Sequence, residues 1–368
     1  MMQVADFYIE QLKLSNFKNY AFITLDFDQK LNFIVGNNGI GKTNLLDAVY
    51  YSCISKSYFS ADGMVPNFNN NYFRIESNVL LNTDNHLIEV KYLKQEKKEI
   101  FVDKLKVDKQ ADYIGRFPCV IISPDDNQLI LGASEQRRKF IDSTICQFSA
   151  AYLSALVMYN KLLTQRNALL KYFFENKTYN ADLLNTYDEQ LALKGQFIYE
   201  FRKSFLQNFT PKVKEIYHAI FEGPEVIEIQ YNSDLNEKGA AELLKENIKQ
   251  DRYIQRTTKG IHTDDLSFSL NYHPVKKTGS QGQQKTFLLS LKLAQYELIK
   301  NEKNIKPLLL LDDIFDKLDA GRIDRLFRLI QSNEFGQVFI TDTDEQRIQA
   351  FITNSNITNY KIIKVGSI

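Results

Sequence analysis

The chain has 368 residues, 44% of them hydrophobic, enough for one large or two ordinary domains around a packed core and too apolar for an extended disordered chain. Lysine and arginine number 46 against 45 acids, so no global positive field recruits nucleic acid, and any such affinity has to come from local patches. Cys53, Cys119 and Cys146 lie far apart without metal-ligand spacing, which predicts reduced, buried thiols in a cytoplasmic protein. The start, MMQVADFYIE, has no basic region followed by an apolar core, and the longest apolar runs fall far below the ~20 residues that cross a bilayer. A soluble, non-exported protein with no membrane partner is expected.

Three strands open the chain: FYIEQLKLSNF, AFITLDFD and KLNFIVG, the last turning apolar as a buried strand does. It runs into the loop GNNGIGKTN, after which Leu45, Leu46, Val49 and Tyr50 fall on one helical face. Antiparallel strands are predicted from about Phe73 to Val107 around the turn NTDN, with a lysine-rich edge (Lys91, Lys94, Lys97, Lys98) read as a solvated, aggregation-blocking face. From Ser134 helical periodicity takes over and runs to about Phe221; VIEIQY returns to strand, and AAELLKENIKQ is predicted as one amphipathic helix. Strand and helix alternate again from about Ser267 through SFSLNYH, GSQGQQKTFLLSLKLAQYELI, PLLLLDDIF and QVFIT. The pattern predicts an α/β lobe over residues 1–132 and 261–368, split by a mainly helical insert over 133–260.

Gly36, Gly41, Lys42 and Thr43 satisfy G-x-x-x-x-G-K-[ST] between a strand and a helix. In that pattern backbone amides and the helix N-terminus hold phosphates, the lysine reaches the β and γ groups, and the hydroxyl meets Mg²⁺. The run Gly36, Asn37, Asn38, Gly39, Ile40, Gly41, Lys42, Thr43 and Asn44 is therefore the expected ATP-binding loop. PLLLLDDIFDKLD reads as a central buried strand that delivers Asp312 and Asp313 at its carboxyl end, where parallel sheets bind ligands. Asp312, with Thr43, is the expected Mg²⁺ group; Asp313, with Lys42, is the expected catalytic group, placed to orient or deprotonate the attacking water. SQGQQK, Ser280 to Lys285, alone is a polar turn capping a periodic helix, informative because it falls between the phosphate loop and the acidic strand.

These motifs, with LSNFKNY, ISPDDNQLILGASEQRRKFID, YNKLLTQRNALLK and IHTDDLSF, resemble in order the ABC-type ATPase heads of the SMC and Rad50 group, and within it the RecF family. The resemblance implies an α/β fold, an ABC-type P-loop ATPase head with a mixed sheet and an inserted helical lobe. It implies that Ser280, Gln281, Gly282 and Gln283 reach the γ-phosphate held by a second copy, so that ATP drives a head-to-tail homodimer, with Asp319 in the loop communicating across it. It also implies binding to double-stranded and gapped DNA, work with RecR and RecO, and loading of the RecA recombinase. Compatible local features are Arg137, Arg138, Lys139, Lys161, Arg166 and Lys171, which on an exposed helical face would contact phosphates without reading sequence. Each of these could equally be part of a solvated helix face or an intramolecular ion pair, and Arg137 and Arg138 could instead brace the two lobes.

Asp313, as in RecF-like proteins, stands where transporter-type heads usually have a glutamate, and its shorter reach implies slow hydrolysis, a timer rather than a motor. VFITDTD lacks the usual histidine, leaving Thr341, Asp342 or Thr343 to fill that place or nothing. Phe59 and Thr263 occupy positions where the family often has basic residues. His262, His273, Asp264 and Asp265 lack further ligands at suitable spacing, so a turn and strand start is expected there rather than a metal site. A transporter ATPase holds the phosphate loop and the serine-glutamine element much closer together, a small-molecule kinase leaves SQGQQ unexplained, and a structural SMC-type protein needs a longer coiled coil than this insert supplies.

Overall fold

The structure, a computed structural model, describes residues 4–221, 223–316, 320–331, 334–355 and 357–366. The chain begins with β1 (Phe7–Phe17), β2 (Tyr20–Asp26), β3 (Leu31–Val35) and α1 (Lys42–Ile54). Then come β4 (Tyr72–Leu81), β5 (Asp84–Leu93), β6 (Glu99–Val102), β7 (Leu105–Lys106), α2 (Gln110–Tyr113) and β8 (Cys119–Ile122). A helical stretch follows: α3 (Asn127–Leu131), α4 (Ser134–Cys146), α5 (Ala150–Glu175) and α6 (Ala181–Ile220). Next are β9 (Ile227–Asn232), α7 (Ala240–Glu246), α8 (Ile248–Ile254), β10 (Asp265–Leu270), β11 (His273–Pro274) and α9 (Val275–Thr278). The chain closes with α10 (Gln281–Lys303), β12 (Leu308–Leu311), α11 (Ala320–Gln331), β13 (Val338–Asp342), α12 (Glu345–Asn354) and β14 (Tyr360–Lys364).

Two compact units divide the chain: Met1–Asp126 with Ile216–Glu222 and Lys285–Ile368, and Asn127–Glu215 with Gly223–Gln284. The second unit takes up residues 261–284, which the sequence pattern places with the α/β lobe, because β10 pairs antiparallel with β9 from Asp265↔Asn232 to Leu270↔Ile227. That pairing ties the IHTDDLSF segment to the helical insert.

In the first unit the strands separate into two sheets rather than one mixed sheet. One is antiparallel, in the order β2-β1-β4-β5-β6-β7, and the other is wholly parallel, in the order β14-β3-β13-β12-β8. The four-residue runs of β8 and β12 and the five-residue runs of β3 and β13 are buried throughout, as the unbroken apolar stretches LNFIV and LLLL require of strands covered on both faces. By contrast β4 alternates, with Phe73, Ile75, Ser77 and Val79 inward. Helix α1 fills the space against the antiparallel sheet: Tyr51 meets Phe17 and Phe73 edge-on at centroid distances of 6.0 and 5.2 Å. Each such pair adds about 0.5–1.5 kcal/mol beyond the area it buries. The helix stops at Ser55, whose left-handed backbone (φ 57°) returns its N–H to Tyr51 O at 2.7 Å.

The second unit is built on an antiparallel helix pair. Along α5 the buried residues Tyr152, Tyr159, Arg166 and Phe173 recur every seventh position and face α6. Tyr152 packs on Phe201, and Arg166 reaches Asp188, so the two helices run in opposite directions. The predicted single helix AAELLKENIKQ is two, α7 and α8, broken at Asn247, whose side chain donates to Leu243 O at 2.8 Å and whose backbone leaves the helical region. No helix among the described residues is long and apolar enough to cross a membrane.

Candidate functional site

Three adjacent parallel strands, β3, β13 and β12, end at one edge of their sheet, with Asp342 level with Val35 and Ile340 level with Leu311. Their carboxyl ends therefore bring together the loop after Val35, the end of β13 and Asp312-Asp313, which are far apart in sequence.

The loop itself is held in a shape that glycine makes possible. Gly41 has φ 114°, and a Cβ there would run into the Asn19 amide; at Gly36 a Cβ would lie 2.8 Å from Val365 O. Behind the loop, Asn19 Nδ2 donates to Ile40 O at 2.9 Å, Tyr20 OH donates to Gly41 O at 3.1 Å, and Asn44 Nδ2 donates to Asn19 Oδ1 at 2.8 Å. Asn37, Asn38 and Gly39 are exposed at the tip, with Ile40 partly covered. Lys42 is buried, and its Nζ donates to Gly36 O at 2.7 Å and Asn37 O at 2.9 Å. The ammonium thus lies across the concavity of its own loop, at the first turn of α1, where backbone N–H groups favour an anion.

Thr43 Oγ1 donates to the Asp312 carboxylate, 3.0 and 3.1 Å from its two oxygens. Thr341 Oγ1 donates to Asp312 Oδ1 at 2.8 Å and accepts the Asp313 N–H at 2.9 Å. Burial pushes the Asp312 carboxyl above the usual carboxylate range, while hydrogen bonds from Thr341 and Thr43 and the charge of Lys42 pull it back. A buried carboxylate beside a hydroxyl is a set of hard oxygen donors that fits Mg²⁺. Asp313 holds a left-handed backbone (φ 55°), and its Oδ1 is buried with no hydrogen-bond partner among the described residues. Such an oxygen is a ready acceptor for a water.

Ser280 and Gln283 close a reciprocal cap at the start of α10: Ser280 Oγ accepts the Gln283 N–H at 3.2 Å, and Gln283 Oε1 accepts the Ser280 N–H at 2.7 Å. Gln283 Nε2 also donates to Glu225 at 2.6 Å. Ser280 and Gln281 are exposed, and Gly282 is partly so, leaving the cap on the surface of the second unit. Asp319 lies outside the described residues.

The structure corrects much of the expected DNA-contact set. Arg166 has no exposed surface; its Nε donates to Asp188 at 2.5 Å, and its Nη1 to Asp251 at 2.7 Å and Thr257 at 2.8 Å. Arg137 is also buried, gripping Asp265 through Nε at 2.6 Å and Nη2 at 3.0 Å. Arg166 cannot reach a DNA phosphate without giving up the buried Asp251, nor Arg137 without leaving the partly exposed Asp265. Arg138 is half-buried and donates to Asp264 O at 2.6 Å, Lys139 is exposed but paired with Glu135 at 2.6 Å, and Lys171 stands 3.7 Å from Glu175. Lys161 is exposed. Asp264 is itself structural, accepting from Arg202 at 3.0 Å and from Tyr231. Among the described residues no group of His, Cys, Asp or Glu could hold a metal ion on its own.

Sequence reasoning placed Asn44 in the expected ATP-binding loop but did not assign it, Asn19 or Tyr20 as braces, nor the pair of Lys18 with the buried Asp47 at 2.6 Å. LSNFKNY carried the resemblance but nothing in its composition marks it as a support for a loop 21 residues on.

The RecF/RecN/SMC N terminal domain model matches residues 8–363. The DNA replication and repair protein RecF of Flavobacterium johnsoniae is 45% identical over 360 residues, spanning 97% of this chain and 100% of that one. That of Cytophaga hutchinsonii is 39% identical, over 96% of this chain and 94% of its own. The solved recombination mediator protein RecF-ATPrS in the RecFOR pathway superposes with a TM-score of 0.88 at 29% identity, covering 100% of this chain and 98% of that one. With a family model across nearly its whole length and relatives alike from end to end, the chain belongs to the RecF family within the RecF/RecN/SMC group.

Proposed function

We propose that the chain is an ATP-gated DNA-binding protein of recombinational repair, in which ATP joins two copies head to tail into a clamp on duplex DNA at gaps and slow hydrolysis releases it. The observation that carries the reading is the joining of Thr43 to Asp312 across 269 residues of sequence, beside a buried Lys42 and an Asp313 oxygen with no partner. The loop 36–44 and the start of α1 bind the phosphates; Lys42 turns from its own carbonyls to the β and γ oxygens. Thr43 and Asp312 hold Mg²⁺, which draws charge from those oxygens when bound. Asp313 orients or deprotonates the attacking water and reaches it less well than a glutamate would, which keeps turnover slow.

Ser280, Gln281, Gly282 and Gln283, exposed on the second unit, meet the γ-phosphate held by the other copy. Among the cations first considered for DNA, Lys139, Lys161 and Lys171 are exposed and serve as phosphate contacts in this reading. RecR and RecO are the protein partners and loading of RecA the outcome. The test is sedimentation velocity with Mg²⁺ and ATP, ADP or no nucleotide. A dimer with ATP alone is expected, absent in Lys42→Met and in Ser280→Arg. Dimers independent of nucleotide, or a monomer throughout, would overturn the head-to-tail arrangement.

A further inference from the structure

Thr341 and Asp342 at the end of β13 and Thr343 just after it stand where ABC-type heads commonly have a histidine, and their surroundings separate them. Asp342 is buried and occupied: Arg347 donates to it through Nε at 3.0 Å and Nη2 at 2.6 Å, and the Asp344 N–H donates to Oδ1 at 2.7 Å. Thr343 lies beyond the strand, at a half-exposed turn leading to α12. Thr341 is paired with Ile34, one step inside the end of the ladder where Asp342 pairs with Val35, and is 1% exposed.

We propose that Thr341 is the positioning residue of the hydrolytic site, one hydroxyl that fixes both the metal-holding Asp312 and the water-facing Asp313. The inference rests on the ATPase reading above. Its hydroxyl hydrogen is given to Asp312 Oδ1 at 2.8 Å, and its lone pair takes the Asp313 N–H at 2.9 Å. The second bond matters because Asp313 has φ 55°, a conformation that aspartate tolerates but does not prefer. Held there, the side chain keeps Oδ1 buried and unpartnered among the described residues. Without the Thr341 hydroxyl the Asp313 N–H loses its acceptor, the backbone is free to relax towards ordinary dihedrals, and the carboxylate leaves its place. Asp312 would keep Thr43 and so its place beside the loop. Thr341 therefore acts through Asp313 on the chemical step more than on nucleotide binding.

The experiment compares wild type, Thr341→Val and Thr341→Ser on the full chain by three readouts. In the nucleotide-free protein, labelled with ¹⁵N-aspartate, exchange of the Asp313 amide is expected to accelerate at least about tenfold in the valine variant and to stay within about threefold of wild type in the serine variant. With Mg²⁺ and ATP, Thr341→Val is expected to lose at least about tenfold in kcat with less than about threefold change in KM, and Thr341→Ser to recover most of it. The affinity for a fluorescent ATP analogue should be unchanged within about threefold in both. Equal kcat in wild type and Thr341→Val, a loss confined to KM, or failure of serine to rescue would each overturn the proposal. So would an Asp313 amide indifferent to the valine. If wild type binds no nucleotide while the amide still responds to Thr341→Val, the ATPase reading fails and the Thr341 clasp is structural only.

Discussion

Arg166→Ala separates a buried strut from a DNA ligand. Asp251 has no exposed side-chain surface, and removing the guanidinium takes away its ion pair at 2.7 Å while leaving Thr258 N at 2.9 Å and Thr258 Oγ1 at 2.6 Å. Asp188, the other partner, is 19% exposed and can be rehydrated. Breaking a buried pair costs about 3–5 kcal/mol, and the remaining donors put this case near the lower end, about 3 kcal/mol. For a unit of roughly 150 residues that lowers Tm by about 6–12 °C. Calorimetry read against wild type tests it, with anisotropy of a labelled duplex in parallel at one fixed salt below the transition. A loss of Tm with DNA affinity unchanged supports the strut. A Tm unchanged within 2 °C of wild type with a loss of DNA affinity of about tenfold would refute the reasoning and return Arg166 to the phosphate-contacting surface.

Gly41→Ala puts a side chain at φ 114° against the Asn19 amide, which is expected to lower nucleotide affinity about tenfold or more while Tm moves little; an unchanged affinity by fluorescent-analogue titration would show that the loop does not need this shape. Asp313→Glu should raise the ATP hydrolysis rate by about threefold or more in a coupled assay, because the longer side chain reaches the water, and a lower rate would contradict the timer reading. Burial, with a smaller push from Arg138, holds the His262 ring below the usual histidine range, so on acidification the unfolded chain takes up the proton first. Stability from this group is fully present above about pH 6.5 and is lost as the pH falls below it, by at most about 1.4 kcal/mol per pH unit. Chemical denaturation at pH 7.5 and pH 5.5 should show that loss in wild type and a flatter profile in His262→Gln; the same slope in both would refute the assignment.

Local structure was legible in the sequence. The glycine-spaced loop after a buried strand, the apolar run ending in Asp312, and the serine-glutamine start of α10 each announce themselves within a few positions, since strand burial, glycine spacing and capping are short-range constraints. The unit boundary was not legible, because the β9–β10 pairing that draws residues 261–284 into the helical unit is a long-range ladder between two short strands. Arg166 is open in the sequence between a DNA contact and an intramolecular ion pair, yet it falls on the seven-residue seam of Tyr152, Tyr159 and Phe173, and that spacing is the signal that it faces α6. Its partners Asp188 and Asp251 are 22 and 85 residues away, and no local pattern names them. The place left by the missing histidine stayed open between Thr341, Asp342 and Thr343 because only the fold shows Asp342 already held by Arg347.

The central claim is that ATP, not ADP, lets two copies hold DNA. The most direct measurement is fluorescence anisotropy of a labelled gapped duplex titrated with protein at one moderate salt, with Mg²⁺ and ATP, ADP or no nucleotide. The account predicts tight binding with ATP alone, lost in Lys42→Met and in Ser280→Arg. Equal binding under all three conditions, or ATP-dependent binding that survives Ser280→Arg, would contradict it.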